Sequence, residues 1–139
     1  VDPSAFDPYM LDFPDEARRF ETGTPAVPAL YAANAGMSLI AQLDLHVVRR
    51  HVASLVTYAA GQLAAQGERL RLPADPAARG AQVALCDPDP ALLADWLAAR
   101  QMVVSPRRDV ARLSFHYYNN ADDVDALCQE IDKYRRSRA

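Results

Sequence analysis

V-A-R-L-S-F-H-Y-Y-N-N-A-D-D-V-D, residues 110–125, compresses a strand, a turn and a helix start into one short run. From Val110 to Phe115 the pattern is that of a strand. Arg112 and Ser114 point to one face, and Leu113 and Phe115 to the other. Asn120 with Asp123 three residues on is close to a capping box, aspartate replacing the usual glutamate, and predicts a helix start. That helix buries Val124, Leu127, Cys128 and Ile131, then frays through Lys133 to Ala139.

Working upstream, Met102 to Ser105 reads as a strand and Pro106 to Asp109 as a tight turn, so residues 102–115 form a hairpin. Asp87-Pro88-Asp89-Pro90 is a turn, with Asp89 as helix N-cap and Pro90 at the first helical position. The helix from Pro90 to Arg100 buries Leu92, Leu93, Trp96 and Leu97. Gln82 to Cys86 is a further strand, and Leu70 to Leu72 a shorter one.

Earlier still, Leu45, Val48, Val52, Leu55, Val56, Ala59 and Leu63 recur at helical spacing and predict a helix from Leu45 to Gln66, with Gly67 as its C-terminal cap. A first helix from Pro28 to Leu43 packs along Leu30, Ala33, Met37 and Ile40. Two N-terminal helices followed by strand, helix, hairpin and helix give an α+β fold, a small antiparallel sheet with helices packed on one face. There is no internal repeat. The expected division is an irregular segment over 1–28 and a small α+β domain over 29–139. Val1 to Pro14 carries prolines and unperiodic aromatics, so its apolar residues are expected to pack against a partner.

Composition bounds the function. The chain of 139 residues suits one compact domain and is 50% hydrophobic. A net charge of −3 argues against nucleic-acid binding. No apolar run approaches the roughly 18 residues that span a bilayer, and there is no signal-peptide pattern, so a cytoplasmic protein is the expectation. Cys86 and Cys128 form neither a disulfide framework nor a metal pair and are read as core. The 15 basic residues include a single lysine, Lys133.

No metal site is expected. His46 and His51 lie about 140° apart on a helix and cannot converge on one ion, and His116 stands alone. Two stretches carry other chemistry. In R-F-E-T-G-T-P, residues 19–25, Gly23 allows close backbone approach, and Thr24 with the amides of a helix start suits a phosphate, unless Thr24 only caps that helix. In the 110–120 stretch, Arg112 fixed on a strand suits a carboxylate gripped by two hydrogen bonds, unless it is a surface ion pair.

R-F-E-T-G-T-P at 19–25, V-V-S-P-R-R-D at 103–109 and R-L-S-F-H-Y-Y-N-N-A-D-D-V-D at 112–125 together resemble the C-terminal part of class V aminotransferase-like enzymes. These are fold type I pyridoxal-phosphate enzymes, the group of cysteine desulfurases, isopenicillin epimerase-like proteins and kynureninases. The resemblance covers the chain from about Asp15 to Tyr134. It implies that Thr24, with Gly23 shaping the turn, binds the cofactor phosphate of the neighbouring subunit in a homodimer. It implies that Arg112 holds the α-carboxylate of an amino-acid substrate, with Ser114 able to orient it, and that Tyr118-Asn119 is a structural turn. Asn120 stands where the family usually has threonine, and it caps equally well.

In the family, the Schiff-base lysine, the aspartate on the pyridine nitrogen and the stacked aromatic lie upstream, and none has a match here. Lys133 matches no part of the lysine motif. The resemblance therefore implies a missing N-terminal large domain, and a chain inactive by itself. The link from Ser105 to Ala111 has no cysteine, which argues against persulfide chemistry and leaves transamination, epimerisation or lyase-type cleavage. The alternative is a free-standing α+β interaction module that binds a partner through Val1–Pro28.

Overall fold

In the computed structural model, residues 15–21 and 23–138 are described. They fall into two compact units, one ending at Leu43 and the other running from Asp44. The first helix goes with the former, so the units divide at a different place from the boundary expected at residue 28.

The first unit has a 3-10 turn over Ala17–Phe20 and helix α1 over Val27–Ile40. The expected packing stripe on α1 is absent among the described residues: none of its side chains is buried, and Leu30, Met37 and Ile40 are exposed. The helix is apolar nearly all round rather than amphipathic, so its sequence defines no face for one neighbour.

The second unit contains α2 (Leu45–Ala65), β1 (Leu70–Arg71), β2 (Gln82–Cys86), α3 (Pro90–Ala98), β3 (Ser105–Arg107), β4 (Val110–Ser114) and α4 (Ala121–Arg136). The strands form one antiparallel sheet in the order β1-β2-β4-β3. Val83 and Leu85 of β2, with Ala111 and Leu113 of β4, are buried under Leu63 of α2, Leu93 and Leu97 of α3, and Val124 and Ile131 of α4. All three helices thus cover one face, as an α+β fold with a half-covered sheet requires. Each fully buried leucine or isoleucine contributes about 1.5–3 kcal/mol.

The helix ends follow their local chemistry. The Asp44 carboxylate accepts the His46 and Val47 amides, and Asp89 accepts the Leu92 amide. Asn120 and Asp123 close the reciprocal capping box. Gly67, at φ +85°, ends α2, with the Glu68 amide donating to the Leu63 carbonyl at 3.0 Å.

One strand lies elsewhere than expected. The paired residues are Ser105–Arg107, not Met102–Ser105. Helix α3 ends with Gln101 in the left-handed region, φ 64°, and the Met102 amide donates to the Leu97 carbonyl. Residues 102–104 are consumed in leaving the helix, and the ladder begins three residues late. The turn shrinks accordingly to Arg108-Asp109, with Arg108 at φ 51° and Arg107 paired to Val110. Pro106 sits in the middle of this outer strand.

One buried charge ties the unit together. The side chain of Asp87, at the β2–α3 junction, is 1% exposed and accepts from Arg135 of α4 at 2.5 Å. Arg135 also donates to both carboxylate oxygens of Glu68, at 2.8 and 2.9 Å. Its proton is held well above the usual arginine range, first by Glu68 and then by Asp87. Arg135→Ala leaves Asp87 uncompensated and is expected to cost about 3–5 kcal/mol in urea unfolding. Adding Asp87→Asn should recover part of that loss. A single variant within about 1 kcal/mol of the parent would contradict the buried-charge account.

Cys128, in the core on α4, gives a second test. Burial, with a smaller push from Asp125, raises its thiol from 9.0 to about 11. The unfolded chain therefore ionises first. The stabilisation is complete below pH 9 and lost as pH rises through about 11. Cys128→Ala should flatten this alkaline decline in an unfolding series, and an unchanged slope would refute the assignment.

Candidate functional site

The period-two geometry of β4 places Arg112 on the face of the sheet opposite α2, α3 and α4. Register sets its neighbours: Ala84 of β2 lies on one side and Ser105 of β3 on the other, with Arg71 of β1 beyond Ala84. Ala84 is small, so a hollow of about 460 Å³ opens beside the arginine, between Leu72, Gly80 and Val110.

Arg71 also lines this hollow, but its guanidinium is engaged by both oxygens of Asp109, at 2.5 and 3.2 Å. That pair holds the Asp109 carboxyl below its ordinary range, through the Arg71 hydrogen bond above all. Among the described residues Arg112 has no such partner. Its Nε is shut off from solvent and makes no hydrogen bond. The surface ion-pair reading of Arg112 therefore fails among the described residues. Ser114, on the same face, accepts instead from Gln82 Nε2 at 3.1 Å.

The turn after β4 is fixed by Asn119. Its Oδ1 accepts the His116 amide at 2.9 Å, and its Nδ2 donates to Asp123 at 3.1 Å. Its carbonyl accepts from His51 Nε2 of α2 at 2.8 Å, which requires the proton on Nε2. Sequence reading took Tyr118-Asn119 as structural without finding His51. A histidine on the polar side of α2 gives no hint of a partner 68 positions away. His116 stacks on Tyr118, with ring centroids 5.3 Å apart. Among the described residues no cluster of histidine, cysteine, aspartate or glutamate could hold a metal.

Gly23 and Thr24 lie in the unit ending at Leu43. Thr24 does not cap α1. The N-cap is Ala26, which makes no side-chain cap bond. Nor does the helix start offer an amide cradle. The Val27 amide donates to Pro25, Pro28 has no N–H, and the Ala29 and Leu30 amides both donate to Ala26. A phosphate contact from this segment thus reduces to the exposed Thr24 hydroxyl and the loop before it. Gly23 has open space around it. Lys133 is on α4, paired with Glu130 at 2.6 Å.

Comparison with known proteins identifies the family and the fold. The family model for class-V aminotransferases matches residues 5–127, and the chain belongs to that family of pyridoxal-phosphate enzymes. It is 33% identical over 115 residues to the uncharacterized aminotransferase YcbU of Bacillus subtilis, covering 83% of this chain and 31% of that protein. It is 24% identical over 135 residues to a probable cysteine desulfurase of Ureaplasma parvum, covering 88% of this chain and 34% of the relative.

Among solved structures, the cysteine desulfurase of Thermococcus onnurineus superposes with a TM-score of 0.79 at 20% identity, over 87% of this chain and 34% of that one. The 8-amino-7-oxononanoate synthase of Francisella tularensis gives 0.63 at 17%, over 87% and 36%. These likenesses show the fold. The chain spans about a third of the length of the relatives it matches.

Asn119→Ala removes two side-chain hydrogen bonds from the turn beyond Arg112 and should cost about 1–3 kcal/mol. Hydrogen exchange should quicken at residues 116–120 before it does in β2. Unchanged exchange there would show that the turn is held by something else.

Proposed function

We propose that this chain is the small-domain part of a pyridoxal-phosphate enzyme acting on an amino acid, with Arg112 as the group that binds the substrate's α-carboxylate. The observation that carries this is the Arg112 Nε, buried and without an acceptor, on the face of the sheet opposite α2, α3 and α4. A buried donor left unpaired costs about 1–3 kcal/mol, and the guanidinium it belongs to offers a carboxylate a planar, two-bond grip. Asp109, in the turn before β4, is already committed to Arg71, so it does not compete.

The proposal gives Thr24 a contact with the cofactor phosphate, across the interface of a homodimer, with Gly23 leaving room for the approach. When bound, the cofactor stabilises negative charge at the substrate's α-carbon. What this chain supplies is binding and orientation. It does not supply the covalent anchor, because its one lysine is on α4 and paired with Glu130. That anchor is assigned to a large domain preceding this region. Transamination, epimerisation and lyase-type cleavage all fit these roles. Persulfide chemistry is disfavoured, because the link before β4 is a two-residue turn, Arg108-Asp109, without cysteine.

A second reading, an interaction module without catalysis, draws support from the apolar residues left exposed on α1. The two readings part on Arg112. In the complete enzyme, Arg112→Lys should raise the KM for the amino acid about tenfold or more, since each 1.4 kcal/mol is a factor of ten. Cofactor absorbance should stay as it was. Thr24→Ala should do the reverse, weakening cofactor retention with little change in KM. If Arg112→Lys leaves KM and kcat alone, or strips the cofactor, the assignment is wrong.

A further inference from the structure

A second hollow, of about 580 Å³, lies in the Asp44–Ala139 unit between the start of α2, residues 76–81 and the end of β4. It adjoins the Arg112 hollow at Gly80 and Ala81 but is lined by neither Arg112 nor Arg71, and Phe115 in its wall belongs to the helix-covered core. Val48, Val52 and Ala53 of α2 complete an apolar lining, and the volume is in the range of small-molecule sites.

Three arginines, Arg49, Arg50 and Arg79, line the same hollow, and among the described residues no aspartate or glutamate does. None of the three has a carboxylate partner among the described residues. Arg71, Arg100, Lys133, Arg135 and Arg136 each have one. The acids closest in sequence are spent on backbone: Asp44 accepts from the His46 and Val47 amides, and Asp75 from the Ala77 amide. Arg49 donates to the Ala77 carbonyl, and Arg79 to the carbonyls of Pro73 and Ala74. Those partners are neutral, so the positive charge stays uncompensated. Arg50 makes no side-chain hydrogen bond among the described residues and keeps its full fork of donors.

We propose that this groove binds a small organic carboxylate with an aryl or short alkyl body, at a site separate from Arg112. An intact guanidinium fork matches the two oxygens of one carboxylate. The neighbouring guanidiniums, already partly engaged by carbonyls, add charge rather than further forks, which favours a singly charged carboxylate over a phosphate. The apolar wall takes the body of the ligand.

Hydrocinnamate, titrated calorimetrically into the full chain, is the probe, and hydrocinnamyl alcohol is its neutral counterpart. The acid should bind with one-site saturation and about tenfold tighter than the alcohol, as one charge-assisted pair provides. Arg50→Gln should weaken the acid about tenfold and leave the alcohol unchanged. Ala53→Glu, at an exposed position, should abolish binding of the acid by placing a carboxylate in the groove. Arg112→Lys should leave binding as it was. Equal affinity for acid and alcohol, or indifference to both groove variants, overturns the proposal. Loss of binding in Arg112→Lys would overturn it too, by assigning the carboxylate to the sheet face. Read in the Arg112→Lys background, the titration reports the groove alone, so the two assignments fail independently.

Discussion

Everything in the Asp44–Ala139 unit depends on the alternation along β4. Ala111 and Leu113 are driven under three helices because they are apolar and adjacent to the same faces of β2. A strand cannot bury those residues without turning Arg112 outward. The position of the arginine is thus a by-product of core formation, enforced by the full hydrophobic energy of the sheet. A shift of one residue in register would bury a guanidinium and expose two apolar side chains, so the register is not free to slip.

The polar interactions refine what the core establishes. Arg135 connects the end of α4 to the turn after α2 and to the start of α3, three places that the sheet alone does not join. Asn119 performs a similar service for the turn after β4, connecting it to α2 and α4. Arg135 reaches Glu68 and Asp87, and the Asn119 carbonyl reaches His51, across long stretches of sequence, and these part-buried groups would be costly to leave unpaired away from water. The scaffold around Arg112 is held from both ends by such contacts, while the arginine itself is left with an unused donor.

The sequence was most legible where local chemistry decides. The extent of α2, the caps at Asp89 and Asn120 and the alternation of β4 all follow from near neighbours, and the family motif at 112–125 lies in the same stretch, whereas α4 runs on to Arg136 past the fraying expected from Lys133, held by buried Tyr134 and paired Arg135. It was less legible where a single backbone conformation redirects the chain. Gln101 adopts a left-handed geometry that glycine usually marks, and with no glycine there the start of β3 was misplaced. On α1, apolar composition implied burial but no periodicity said against what. Thr24 was read as either cap or phosphate ligand, and the Pro25–Ala26 carbonyls that consume the first amides of α1 carry no signal in residue type. Likewise the arginines of the α2 groove meet only through the fold.

The outer strands of the sheet are worth considering as boundaries. On one side β1 offers two residues, and on the other β3 offers three with a proline in the middle, which has no N–H to give. A short edge and an interrupted one are poor templates for another strand. Growth of the sheet by edge-to-edge pairing with a second molecule is therefore blocked at both ends. Any stable association of this unit must be made through side chains on its faces, where chemistry and shape can discriminate among partners, rather than through a backbone that would accept almost any extended chain.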